Sequence, residues 1–220
     1  METHEMYCKD KKRIGGIYRS DCHIFDGQKY VCMDDITTDI SSNKCIVYSF
    51  GIGGDWSFED TMGRIGCHVY AFDPTIKHTR VRSTNVIFES LGICAIQNKE
   101  GTCLTLDKIL ERNGHTHENI SYLKLDIEKE ELKGFPVWLK SGSLDKVQQI
   151  AVEVHLQPPD DLKVAQNFLQ TFKELNFQGN YRLINYEANN CWKNHNSKYQ
   201  YFSLFEIVLK KIQTNPMCNT

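Results

Sequence analysis

Cys45-Ile46-Val47-Tyr48-Ser49-Phe50-Gly51-Ile52-Gly53-Gly54-Asp55 is the segment on which the fold turns. Its first six residues are rich in β-formers and apolar on both faces, the pattern of a strand buried in a parallel sheet. The glycines that follow allow a tight turn and a close approach of backbone to a ligand. Asp55 reads as a helix N-cap, with Glu59 and Asp60 in the first turn, where the helix dipole favours acids. Phe58, Met62 and Ile65 fall on one face of that helix and Gly66 ends it. A buried strand, a glycine turn and an amphipathic helix, in that order, predict the first βα unit of an open α/β sheet.

The pattern continues outward. Apolar runs predict strands at 68–72, 86–89, 121–125 and 149–152, with a helix over 105–112 ended by Gly114. Leu162, Ala165, Phe168, Leu169, Phe172 and Leu175 trace one face of a long helix. The last two apolar runs, 181–186 and 202–209, have no helical pattern between them, so they must pair antiparallel. The expectation is a Rossmann-like, mostly parallel seven-stranded sheet with helices on both faces and a C-terminal antiparallel hairpin. That hairpin marks the methyltransferase variant of the fold rather than the dinucleotide-dehydrogenase one. Residues 1–43, rich in turns such as Gly15-Gly16 and Asp26-Gly27, read as an arm packed on a main domain of residues 44–220.

Composition sets outer bounds. The chain has 220 residues, 40% hydrophobic and 25% charged, which suits one α/β domain and excludes general disorder. A formal net charge of −2 offers no attraction to a nucleic acid, and the cluster Lys9, Lys11, Lys12 and Arg13 reads as a solvated tail. No apolar run reaches the ~18 residues of a membrane span. Residues 1–16 lack the apolar core of a signal peptide, so the cytoplasm is the default compartment. Nine cysteines without a C-x-x-C pair argue against structural zinc. Two readings of them stay open: Cys45, Cys67 and Cys94 as small buried hydrophobes, or disulfides that tie down the arm and imply a secretory compartment. Trp138 and Trp192 read as packing residues. Asn119-Ile120-Ser121 has the form of a glycosylation sequon but runs into a strand, so chance explains it better.

The chemistry gathers at the ends of the strands. Gly51-Ile52-Gly53 begins like the dinucleotide fingerprint, but its sixth position is Trp56, which spoils the close packing a glycine serves there. Asp55 would repel a pyrophosphate, which argues against NAD. S-adenosylmethionine carries no phosphate, and Gly51, Gly53 and Asp55 are compatible with it. Asp73, 22 residues beyond Gly51 at the end of the second strand, is placed to accept hydrogen bonds from ribose hydroxyls. Asp126, Glu128, Glu153 and His155 follow strands four and five, where the ligand of such a sheet lies. Methyl transfer to a hydroxyl needs a positioned nucleophile and a base, and Asp126, Glu153 and His155 are the catalytic candidates. Asp126, Glu153 and His155 could ligate a metal by type, yet no spacing demands one and none is expected.

Several of these motifs together resemble a known family. Val47 through Gly53 with Asp55-Trp56-Ser57-Phe58-Glu59, Val69-Tyr70-Ala71-Phe72-Asp73-Pro74 and the arm segment Asp26-Gly27-Gln28-Lys29-Tyr30-Val31-Cys32 resemble animal methyltransferase-like proteins of the methyltransferase-like protein 24 type. Leu123-Lys124-Leu125-Asp126-Ile127-Glu128 resembles the K-x-D-x-E-G motif of FkbM-type methyltransferases, with Lys129 where glycine is usual. Glu153-Val154-His155 matches as well. The resemblance implies a class I methyltransferase fold, S-adenosylmethionine at Gly51, Gly53 and Asp73, chemistry near Asp126, and a small-molecule or protein methyl acceptor. Animal members of this type often look secreted or membrane-anchored, which points towards the secretory route. A non-catalytic module that keeps the fold is the competing expectation.

Overall fold

A computed structural model describes residues 7–77, 81–156, 162–177, 180–189, 193–194, 201–202 and 204–212. The arm contains β1 (Lys11–Ile14), β2 (Ile17–Arg19), β3 (Ile24–Asp26), β4 (Lys29–Cys32) and helix α1 (Met33–Ser41). β5 (Ile46–Phe50) then leads through the glycine turn to α2 (Ser57–Arg64), β6 (His68–Phe72), β7 (Val81–Ser83) and β8 (Val86–Glu89). The short strands β9 (Gly92–Ile93) and β10 (Cys103–Leu104) precede α3 (Leu106–Arg112), β11 (Tyr122–Leu125), α4 (Glu130–Lys140), β12 (Gln149–His155) and α5 (Leu162–Phe177). Next come β13 (Tyr181–Ala188), the small pair β14 (Lys193–Asn194) and β15 (Tyr201–Phe202), and β16 (Leu204–Lys211).

The main sheet runs β13-β16-β12-β11-β5-β6-β8-β7. β12, β11, β5, β6 and β8 are parallel, and β16 is antiparallel to both β12 and β13, so the expected terminal hairpin is present. Among the described residues the sheet has eight strands rather than seven. The extra one, β7, is three residues on the edge beside β8, too short to leave a pattern in the sequence.

Side chains alternate between two cores. On one face Phe50, Phe72, Leu123, Leu125, Ile150 and Val152 pack with Ile109 of α3, Phe135 and Trp138 of α4 and Phe168 of α5. On the other, Val47, Val69, Ala71 and Ala151 pack with Phe58 and Met62 of α2, Ile36 of α1, and Ile14, Val31 and Cys32 of the arm. The arm therefore forms part of the second layer. β4 packs across β12 and β16, and the Gln149 side chain bonds both the N–H and the C=O of Cys32 at 2.8 and 2.7 Å. In α5 the buried face is carried by Phe168, Thr171 and Leu175, while Leu162 and Leu169, expected inside, are exposed. The true stripe sits one step around the helix, where Val164 and Phe172 also touch the core.

The cysteines resolve in favour of disulfides: Cys8–Cys32, Cys45–Cys67 and Cys94–Cys103 lie among the described residues, and Cys22 is disulfide-bonded as well. Cys45, Cys67 and Cys94 are buried, as a small hydrophobe would be, and bonded as well. Cys191, Cys218 and Trp192 lie outside the described residues. Trp138 is a core residue, fully buried, with its indole N–H on the carbonyl of Cys94. Among the described residues, no helix is long and apolar enough to cross a membrane.

Candidate active site

β5 ends against β11, and this meeting fixes the first glycine. Gly51 has φ +80°, and a Cβ there would stand 1.6 Å from the backbone oxygen of Asp126. Gly51 is therefore a packing requirement. Gly53 and Gly54 also have positive φ, but a Cβ on either would meet nothing within 4 Å. They leave the turn open to a ligand. Asp55 does not cap α2 as its place in sequence suggests. The helix starts at Ser57, whose N–H donates to Asp55 Oδ1 at 2.9 Å, and Trp56 stands between them, edge-on to Phe88 and under the Arg82 guanidinium.

Asp73, at the end of β6, is 4% exposed, and its carboxylate is turned into the glycine turn. Oδ2 accepts from the N–H groups of Ile52 and Gly53 at 2.9 and 3.0 Å, and Oδ1 accepts from the N–H and hydroxyl of Thr75 at 2.8 and 2.6 Å. A carboxylate has about four acceptor positions, and all are engaged. Burial acts against its charge, but these donors outweigh it and lower its pKa. Beneath the same turn, Lys124 of β11 donates to the carbonyl of Gly51 at 2.8 Å and pairs with the fully buried Glu59 of α2 at 3.1 Å.

The second polar group lies at the carboxyl ends of β11 and β12. Glu153 and Glu206 stand directly opposite each other across β12 and β16, an arrangement that repels unless a cation intervenes. Lys29 of β4 is that cation. Its side chain is fully buried, bonded to Glu206, and its ammonium lies 3.8 Å from both Asp126 and Glu153. Burial opposes a charge on Lys29, but the three acids more than offset it and raise its pKa. For Asp126 burial is likewise outweighed, by Lys29 and Lys124, and its pKa is lowered. Burial dominates at Glu153, helped by Asp126 and Glu206, and its pKa is pushed up to about 9. Glu153 is therefore the protonated member of its hydrogen bond with Asp126 at neutral pH.

β12 extends through His155, so Glu153 and His155 are buried strand residues rather than loop residues. His155 Nδ1 contacts the buried Glu131 of α4 at 3.0 Å, and Nε2 faces Glu128 at 3.6 Å and Asp126 at 4.0 Å. Burial disfavours its charge, yet the hydrogen bond and charge of Glu131, with Asp126, prevail and raise its pKa to about 9. The imidazole is thus charged at neutral pH, which removes it as a ready base. Glu128 and Lys129 have φ +53° and +80°. The turn after β11 keeps a left-handed, glycine-like shape although Lys129 supplies a side chain.

Two cavities meet here. The larger, about 730 Å³, is bounded by Gly51, Phe72, Asp73, Leu91, Ile93 and the Cys94–Cys103 disulfide. The smaller, about 460 Å³, is bounded by Arg19, Asp26 and Gly27 of the arm with Asp55, Glu153 and His155. Ile52, Gly53, Asp126 and Glu128 border both. Of the residues singled out by sequence, Gly51, Gly53 and Asp73 face the larger cavity. Asp55, Glu153 and His155 face the smaller, and Asp126 stands between. Asp126, Glu128 and His155 also place one ligand atom each within 4.8 Å of one another. Sequence reasoning missed Lys29, Lys124, Glu59, Glu131 and Glu206. A lysine between Leu123 and Leu125 and a glutamate within the apolar run of β16 were the available signals, since a charge inside a buried strand requires a partner.

A family model described as "Methyltransferase domain" matches residues 2–203. "Probable methyltransferase-like protein 24" of Homo sapiens is 30% identical over 173 residues, 70% of this chain and 46% of that protein. The protein of the same name from Rattus norvegicus is 31% identical over 142 residues, 59% of this chain and 39% of its own. The chain thus spans less than half the length of these relatives. Among solved structures, fibrillarin from Aeropyrum pernix, in complex with natively bound S-adenosyl-L-methionine, aligns with a TM-score of 0.44 at 12% identity. That alignment covers 76% of this chain and 66% of fibrillarin.

Proposed function

The chain belongs to the methyltransferase-domain family, and we propose that it transfers a methyl group from S-adenosylmethionine to a hydroxyl of a small molecule or sugar held in the smaller cavity. The observation that carries this reading is the junction of two cavities at Gly53 and Asp126, one sized for a nucleoside and walled largely by apolar groups, the other set with the ionisable side chains of Asp55, Asp126, Glu153 and His155. The open faces of Gly53 and Gly54 fit a cofactor lying against the turn. When bound, S-adenosylmethionine supplies an electrophilic methyl group on a sulfonium.

The chain's residues then have the remaining tasks of alignment and proton removal. Asp126, kept ionised by Lys29 and Lys124, is the base. Glu153, protonated, donates to Asp126 and fixes its orientation. His155, held by Glu131, presents a charged Nε2–H to the junction and orients an acceptor oxygen. The smaller cavity carries the carboxylates of Asp26, Asp55, Asp126 and Glu128 against Arg19, Lys129 and the charged His155, an excess of acid that favours a neutral polyol over a phosphorylated acceptor.

One observation favours a second reading, a binding module without turnover: Asp73 has no acceptor position left for a ribose. Thr75 or the turn would have to yield before Asp73 could serve the cofactor. Calorimetry with S-adenosylmethionine and S-adenosylhomocysteine, followed by transfer of a labelled methyl group to a panel of polyols, separates the two. Absence of binding to either nucleoside refutes the enzymatic reading and leaves a module whose ligand is another molecule. For the compartment, the disulfides support an oxidising, secretory environment over the cytoplasm.

A further inference from the structure

Asn119-Ile120-Ser121 is the chain's single N-x-S/T sequence, and the structure alters its reading. β11 starts at Tyr122, not at Ser121. Asn119 ends an exposed run over residues 116–119, and the transition to the interior falls on Ile120, which is buried and bridged to Val147. Among the described residues no hydrogen bond engages the Asn119 amide. A groove of about 500 Å³ lies beside it, with Tyr7 and Lys146 in its wall. The steric objection to a glycan at this position therefore disappears.

We propose that Asn119 is an N-glycosylation site, an inference that rests on the secretory reading drawn from the disulfides. In the transfer, Asn119 Nδ2 forms a bond to the anomeric carbon of an oligosaccharide. The bond from that carbon to a lipid pyrophosphate breaks, the pyrophosphate leaves, and the amide gives up one proton. No redox partner is involved. Timing follows from Ser121, which is 1% exposed and whose hydroxyl donates to Asp39 and accepts from the N–H of Ile46. The sequon hydroxyl is inaccessible once β11 docks, so the glycan is added to the extended chain before the sheet closes. Asn119 lies at the amino end of β11 and Asp126 just past its carboxyl end. The glycan therefore projects from the side of the sheet opposite both cavities and leaves them open.

The test expresses the full chain behind a cleavable signal peptide in secretory cells, comparing wild type with Asn119→Gln. Treatment with an N-glycosidase is expected to increase the mobility of the wild type by one glycan. Asn119→Gln, altered only on the surface, is expected to migrate at the faster position with or without enzyme. Wild-type mobility unchanged by the enzyme overturns the proposal. Non-reducing electrophoresis of the same sample reports the disulfides separately, so bonded cysteines without a glycan count against Asn119 and leave the secretory reading standing.

Discussion

Replacing Lys29 by methionine removes the cation around which the site is built while keeping the volume of its stem. In the native protein one fully buried ammonium serves Glu206, Asp126 and Glu153. Deleting one partner of a buried ion pair costs roughly 3–5 kcal/mol, because the remaining charge stays desolvated and unpaired. For a chain of this size that corresponds to a fall in melting temperature of roughly 6–20 °C. The deficit must depend on pH. Lys29 is charged throughout the neutral range in both folded and unfolded chains, so its own titration contributes nothing there. In the variant, however, Glu206 and Asp126 can be buried cheaply only by taking up protons that the unfolded chain has released above its carboxylate range. Stability of Lys29→Met relative to wild type should therefore worsen as pH rises from 5 to 8. Thermal melts followed by circular dichroism at both pH values measure this directly. Melting temperatures within 2 °C of wild type at pH 8, where roughly 6–20 °C is expected, refute the idea that Lys29 neutralises this cluster.

Other expectations follow from the same geometry. Glu153 and His155 both have folded pKa values raised to about 9, from ordinary values of 4.5 and 6.5. The folded state thus holds protons the unfolded chain gives up, and wild-type stability should fall as pH climbs from 6.5 through 9; a melting temperature that rises over this interval contradicts the assignment. Gly51→Ala forces a Cβ into the carbonyl of Asp126 and should destabilise by on the order of 2–4 kcal/mol. Gly53→Ala, with open space around it, should cost only about 1–2 kcal/mol of backbone strain yet weaken S-adenosylhomocysteine binding by calorimetry. Equal melting temperatures for the two variants would dissolve the distinction. Asp126→Asn should lower methyl transfer about 10²–10⁴-fold with nucleoside affinity largely kept, and a variant as fast as wild type would disqualify Asp126 as the base.

The sheet was readable in advance because buried parallel strands leave long apolar runs and glycine turns leave gaps in them. β6 and β8 fall on the predicted residues, and the order of the central strands follows from the fold type. The site was readable only in part. Asp73, Asp126, Glu153 and His155 stand out because strand ends are where such sheets hold ligands. What those side chains do depends on partners distant in sequence, and periodicity carries no trace of them. Lys29 reaches Glu206 across 177 residues, and Glu131 meets His155 only because α4 folds back under β12. The imidazole looked like a base when its neighbours were unknown. The carboxylates of Glu131 and Asp126 turn it into a cation. The phase of α5 was missed for a related reason: Leu162 and Leu169 are as apolar as Phe168, and only the position of the sheet decides which stripe is covered.

The bond between Cys45 and Cys67 joins the amino ends of β5 and β6, so the stretch that contains the glycine turn and α2 is a covalent ring. A protease that nicks this ring releases no fragment, and both cut ends stay tethered to neighbouring strands. The ring also spares the unfolded chain from searching for that pairing afresh after each excursion, so this corner should be the first to re-form. Reductant would abolish both properties at once, and the nucleoside-sized hollow would then be lined by a segment free to fray.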